Sequence, residues 1–321
     1  MILAETEKPS SRREKKSLRL GVRAHDFGRL AADELAARIA AKGFSCVQLA
    51  LNKAIAGLDL RAGDLNAELA WKIAGAFARH GVAIEVLGCY INPIHPDLNT
   101  RAALLQYFKD HLRFARDFSC GIVALESGSV NADYSPHPAN HGEAAFNAML
   151  GSLSELVAEA EKFGVTVGFE AVTSHTVSNA KKMRRVLDAI GSKNLRVVFD
   201  AANLLSPENF REQTRIISEA LDLLGDDIAV VHAKDFVFEN GALKTVPAGR
   251  GQLDFAPILE FVRSRQPKVV AQASPLCVSD LQSRSELTGE TPVPLLLEEA
   301  DETAAPQCAE FLRKYFQEIE A

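Results

Sequence analysis

Short apolar runs rich in β-branched residues alternate with longer amphipathic stretches from residue 18 onward. The runs are LRLGVRA (18–24), SCVQLAL (45–51), VAIEVLG (82–88), GIVALES (121–127), VTVGFEA (165–171), LRVVFDA (195–201), IAVVHAK (228–234) and VPLLLEE (293–299). Each has the length and composition of a buried strand. Between them, residues 31–43, 66–81, 100–118, 147–164 and 179–191 repeat their apolar positions at helical spacing. Gly43, Gly81 and Gly164 stand directly before a strand, where a helix C-cap is expected. On the amphipathic stretch 66–81, Trp71 reads as a core residue. Eight strands alternating with helices predict parallel β/α units, and eight of them suit a closed (β/α)8 TIM barrel in one domain.

Two stretches fall outside this rhythm. Residues 1–16 are charged and lack an apolar period, so they read as a flexible tail. Between His232 and the LLLEE run lie a helical stretch (254–265) and then residues 266–292, rich in Ser, Thr, Pro and Gly, which read as a long insertion. KVVAQA (268–273) could instead supply the eighth strand, but it would leave that strand without a carboxylate and the LLLEE run unexplained.

Composition narrows the class. Hydrophobic residues make up 47% and charged residues 24%, as in soluble globular proteins. Lys and Arg number 36 against 42 Asp and Glu, a formal charge of −6, which argues against a nucleic-acid partner. No apolar run is long enough for a membrane span, and the N-terminus lacks the apolar region of a signal peptide. Five scattered cysteines without a CxxC pair read as reduced thiols, so a cytoplasmic location is expected.

In a barrel of this kind the active site lies at the C-terminal ends of the strands. Strand five closes on Glu170, strand six on Asp200, strand seven on His232 and strand eight on Glu298. One such residue often only caps a barrel rim. Four on consecutive strands, each after an apolar run, point to one divalent metal (Mn, Mg, Zn or Co).

The segments GFEAV (168–172), VVFDAANLL (197–205), VVHAKD (230–235), GRGQLDF (249–255) and PLLLEEAD (294–301) resemble the sugar isomerase/epimerase superfamily of xylose-isomerase-like TIM barrels. LGVRAHDFG (20–28) and GCYINPIHPD (88–97) look like its first and third strand segments. The resemblance covers most of residues 18–317. It implies that Glu170, Asp200, His232 and Glu298 hold the metal. It also implies that Glu170 and Glu298 flank a sugar or polyol ketone, one taking a proton beside the carbonyl and the other returning one, through a metal-stabilised enediolate. Many members carry a His three residues after the strand-six Asp, where this chain has Asn203. The insertion at 266–292 is a second departure.

Other residues near strand ends have a functional and a plain reading. His175 lines the site or is a loop histidine. His25 meets the substrate rim or bonds within its loop. Asp235 orients His232 or starts a turn. Arg250, flanked by Gly249 and Gly251, clamps a substrate group or lies in a solvated turn. Glu126 and Tyr90 border the substrate or serve the scaffold, and Asn203 bonds a substrate hydroxyl. Cys89 lacks an activating base and reads as a small apolar residue. Besides an isomerase or epimerase, the sequence leaves open an inosose-type dehydratase on the same residues and a non-catalytic sugar-binding barrel. An abasic-site endonuclease fits poorly, because its additional histidines are missing. Homo-oligomerisation is left open.

Overall fold

The computed structural model describes residues 18–265 and 293–319. The 1–16 tail, the 266–292 insertion with its KVVAQA alternative, and Cys277 lie outside these. Eight parallel strands form the barrel: β1 (Leu20–Arg23), β2 (Cys46–Leu49), β3 (Ala83–Gly88), β4 (Ile122–Glu126), β5 (Thr166–Glu170), β6 (Leu195–Asp200), β7 (Ile228–Glu239) and β9 (Leu295–Leu297). Neighbours pair in chain order from β1 to β7, and β9 fits between β7 and β1 to close the ring. The LLLEE run therefore supplies the eighth barrel strand.

Helices α1 (Ala32–Ala41), α2 (Leu51–Ala54), α3 (Ala67–Arg79), α4 (Leu98–Phe114), α5 (Glu143–Phe163), α6 (Ala180–Ile190), α7 (Gln213–Leu224), α8 (Ala256–Ser264) and α9 (Ala304–Glu318) surround it. Side chains set several of their starts: Asn66, Asp97 and Asn179 accept from the backbone N–H three residues on. Gly43, Gly81 and Gly164 all take positive φ at helix ends, as their positions before strands predict.

Two expectations need correction. Trp71 is 62% exposed. Ala70, Ile73 and Phe77 form the buried stripe of α3, and a residue one step past Ala70 is turned about 100° away from it. Strand seven does not end at Lys234. It runs to Glu239 and folds back antiparallel onto β8 (Ala242–Pro247). Asn240 and Gly241 form the two-residue turn with φ of 52° and 80°, the combination a tight hairpin of this hand requires.

Period-two alternation sorts the barrel interior into layers. Cys46, Val86, Ala124, Val198, Val230 and Leu296 pack into a buried plug inside the ring. Gly21 and Gly168 join this level without side chains. A Cβ at Gly21 would lie 2.6 Å from both Leu296 Cδ2 and the Cys46 carbonyl, and one at Gly168 would lie 3.0 Å from Val198 Cγ2. The plug is thus filled by larger neighbours leaning into the glycine positions.

Candidate functional site

Two residues further along the same strands, and so facing the same interior, stand Arg23, Gln48, Glu126, Glu170, Asp200, His232 and Glu298. On β3 the equivalent position is Gly88, and the Tyr90 ring lies beside it. Register carries the layer across strands: Glu126 pairs with Glu170, Asp200 with His232, and Arg23 with Gln48. Gln48, Glu170, Asp200, His232 and Glu298 are all buried.

Glu170, Asp200 and His232 offer ligand atoms that lie within 4.8 Å of one another. Glu298 adds a carboxylate beside them. His232 Nδ1 is 3.4 Å from Glu170 Oε2, 3.4 Å from Glu298 Oε1 and 3.9 Å from Asp200 Oδ2. That nitrogen is buried and has no hydrogen-bond partner. A buried ring nitrogen facing three carboxylates without a bond is satisfied by a cation placed among them. Three oxygen donors and one imidazole suit a divalent metal, so these residues fit one.

The positive charges already in the layer were not foreseen from the strand ends. Lys234, one period beyond His232, points into the barrel. Its Nζ is 2.8 Å from Asp200 Oδ2 and 3.2 Å from Glu298 Oε2. Arg23 Nη1 is 3.3 Å from Glu298 Oε2, while its other nitrogens bind Asp26 and Glu299. Glu299 meets Arg23 from a left-handed backbone conformation with φ of 58°.

These neighbours decide the charge states. Burial opposes ionisation of Glu298, but His232, Lys234 and Arg23 hold its carboxyl well below the usual range. Burial also opposes the Lys234 ammonium, yet Asp200 and Glu298 keep it charged far above the ordinary lysine value. Without a metal, burial would lower His232, and the carboxylates of Glu298 and Glu170 override it to about 9. Glu126 is pushed up to about 7 by burial and by the charge of Glu170 beside it.

The remaining expected residues divide into two groups. Asn203 donates its amide to Glu170 Oε1 at 2.5 Å, and its backbone N–H donates to Asp200 Oδ1. His175 Nδ1 lies 3.5 Å from Glu126 Oε2, with the Tyr134 ring edge-on at 4.8 Å. Burial keeps this imidazole neutral, near about 4. His25 packs edge-on to Tyr90, its pKa lowered to about 3 by burial and by Arg23 and Lys53. These residues gather around the layer.

Asp235 and Arg250 do not join them. Asp235 accepts from the backbone N–H groups of Phe236, Gly249, Gly251 and Leu253, so it ties the loop after β8 to β7. It makes no bond to His232. Gln48 occupies that place instead, with its Oε1 2.9 Å from His232 Nε2. Arg250 is exposed and donates to Gln307 Oε1 on α9. Gly251 has no room for a side chain, since a Cβ there would lie 2.2 Å from the Phe236 carbonyl. The glycines flanking Arg250 thus serve the fold of this loop.

The model of the family described as xylose isomerase-like TIM barrel matches residues 36–271, well over half of the chain. The chain belongs to that family. Several solved structures are similar to this chain across nearly their whole length. A D-tagatose 3-epimerase-like protein aligns with a TM-score of 0.67 at 17% identity, covering 94% of this chain and 98% of that one. The IOLI protein with a bound zinc atom gives 0.65 at 15%, covering 93% and 98%. D-psicose 3-epimerase in the presence of D-fructose gives 0.63 at 14%, covering 92% and 98%. At these identities the likeness is one of fold. Among curated proteins, none matches the chain. No described helix is long and apolar enough to cross a membrane.

Proposed function

We propose that this protein is a metal-dependent isomerase or epimerase of a sugar or sugar-like polyol ketone. The observation that carries this reading is the unpaired, buried His232 Nδ1 facing the carboxylates of Glu170, Asp200 and Glu298. A divalent cation bound by these four would draw electron density from the substrate's carbonyl and neighbouring hydroxyl oxygens. Of the two flanking carboxylates, Glu170 is assigned the role of base. Its hydrogen-bond donor is the neutral Asn203 amide, whereas Glu298 faces two permanent cations, Arg23 and Lys234. Glu170 takes the proton from the carbon beside the carbonyl. Glu298, directly after β9 and separated in the ring from Glu170 by β6 and β7, serves the other side of that carbon. Glu126, His175, Tyr90 and Asn203 supply a polar wall suited to several hydroxyl groups. A small polar substrate and a cytoplasmic location belong to the same reading, as does freedom from nucleic-acid and membrane partners.

Incubation with a panel of ketoses and inososes in D₂O tests it. Deuterium appears at the carbon next to the carbonyl of a turned-over substrate. Glu170→Gln lowers that exchange by about 100-fold or more, the usual loss on removing a general base. Exchange that survives Glu170→Gln unchanged would sink this assignment.

One observation favours a second reading. The Lys234 ammonium, 3.2 Å from Glu298 Oε2, adds a fixed positive charge to the layer that would stabilise negative charge on an oxygen leaving the substrate. An inosose-type dehydratase would use the same carboxylates and metal and expel a hydroxide from the neighbouring carbon. The same panel separates the two: a dehydratase yields product lacking one water, and an epimerase yields an isomer of unchanged mass.

A further inference from the structure

We infer that Gln48 is the positioning residue that makes His232 a metal ligand, by holding the imidazole proton on Nε2 and leaving Nδ1 open toward the carboxylates. The inference rests on the metal-site reading above and names the residue that prepares the site. Gln48 is on β2 and His232 on β7, two strands that are not neighbours in the ring, so their contact spans the barrel interior. Gln48 is 2% exposed and His232 3%. The Gln48 Nε2 amide donates to Tyr90 Oη at 2.8 Å, which turns the amide oxygen toward His232 Nε2 at 2.9 Å. An amide oxygen only accepts, so Nε2 carries the hydrogen. In the neutral ring the other nitrogen then presents its lone pair to Glu170, Asp200 and Glu298.

The reverse arrangement has a definite chemical meaning. If the amide were turned over, its NH₂ would face Nε2 and drive the ring proton to Nδ1, among the carboxylates. A neutral ring cannot both bind a cation through Nδ1 and accept an amide N–H at Nε2. Tyr90 completes the chain, its phenol kept protonated by burial and its ring beneath the Lys53 ammonium at 3.9 Å. A buried amide in an otherwise apolar stretch of β2 costs stability unless its polar atoms are bonded. Packing alone would be met by methionine at this position. Asp235, the acid nearest His232 in sequence beyond the barrel layer, is committed to four backbone N–H groups and leaves the orienting role to Gln48.

Calorimetric titration of the metal-free full-length protein with Zn²⁺, comparing Gln48→Met and Gln48→Glu, separates orientation from packing. Orientation predicts that Gln48→Met binds Zn²⁺ about 10–100-fold more weakly, the usual loss when such a partner is removed. It predicts that Gln48→Glu, which keeps an oxygen acceptor, stays close to wild type. A packing role predicts the reverse order, with methionine tolerated and the buried acid harmful. ¹⁵N NMR of Zn²⁺-loaded, histidine-labelled wild type gives an answer independent of the variants: the His232 proton sits on Nε2. A proton on Nδ1, or a folded Gln48→Met variant that binds as tightly as wild type, overturns the inference while leaving the metal site standing. Wild type that takes up no Zn²⁺, Mn²⁺ or Mg²⁺ overturns both.

Discussion

Lys234 sits between two buried carboxylates, 2.8 Å from Asp200 and 3.2 Å from Glu298. Its ammonium offsets charge that would otherwise stand unpaired whenever no metal is bound. Removing one partner of a buried ion pair costs about 3–5 kcal/mol, because the other charge is left desolvated and alone. Lys234→Met should therefore lose about 3 kcal/mol in the metal-free state, read by urea denaturation. Divalent metal should restore part of that loss by taking over the carboxylates. A variant as stable as wild type without metal would mean that Asp200 and Glu298 need no resident cation. Residues with such roles are hard to see in a single sequence. A lysine two places after a histidine reads as a solvent-facing strand end. Only the continuation of β7 past the barrel rim keeps Lys234 facing inward.

At the level of elements, the loop that follows the β7–β8 hairpin is tied to β7 by one side chain. Asp235 gathers three backbone N–H donors from the loop that follows β8, at Gly249, Gly251 and Leu253, and a fourth from Phe236 on β7. Asp235→Ala leaves those donors without their acceptor, at about 1–3 kcal/mol for each that stays buried. The expected result is faster amide hydrogen exchange at Gly249, Gly251 and Leu253, with β5 and β6 still protected. Uniform loss of protection across the barrel would instead place Asp235 in the global core. The hairpin was legible in part: Asn240-Gly241 between two runs of alternating residues is a strong hairpin signal. It is masked because IAVVHAK already has the length of a complete strand. The four strand-end residues were legible because each follows an unbroken apolar run. Arg23 and Gln48 follow equally apolar runs and obey the same period of two, but they are not metal-ligand types. Counting two places on from the plug position of each strand finds them along with Glu126. Trp71 was misread because an amphipathic helix carries it, while α3 turns Ala70 and Ile73 inward and leaves the next position outside the buried stripe.

Over the whole molecule, acid stability follows from histidines that fold neutral. His111 on α4 is buried, donates from Nδ1 to the Tyr107 carbonyl, and has its pKa lowered to about 4 by burial. His25 and His175 are lowered to about 3 and about 4 for the same first reason. In the unfolded chain each titrates near 6.5. Between pH 6.5 and about 4 the unfolded state therefore binds protons that the folded state refuses, so stability falls as pH falls through that window. Above pH 6.5 these three contribute no slope. His111 lies outside the barrel layer, so its share can be isolated without touching the site. A tenfold change in proton affinity is worth about 1.4 kcal/mol, which puts the His111 contribution at about 3 kcal/mol by pH 4. Gln at this position keeps a donor for the Tyr107 carbonyl and does not titrate. Urea denaturation of wild type and His111→Gln at pH 7, 5.5 and 4 should give a gap that shifts by about 3 kcal/mol in favour of the variant from pH 7 to pH 4. The offset at pH 7 measures packing, and its change with pH measures the proton. A gap that stays constant over this range would show that His111 is free to charge in the folded protein, and that its burial on α4 does not set the acid limit of the barrel.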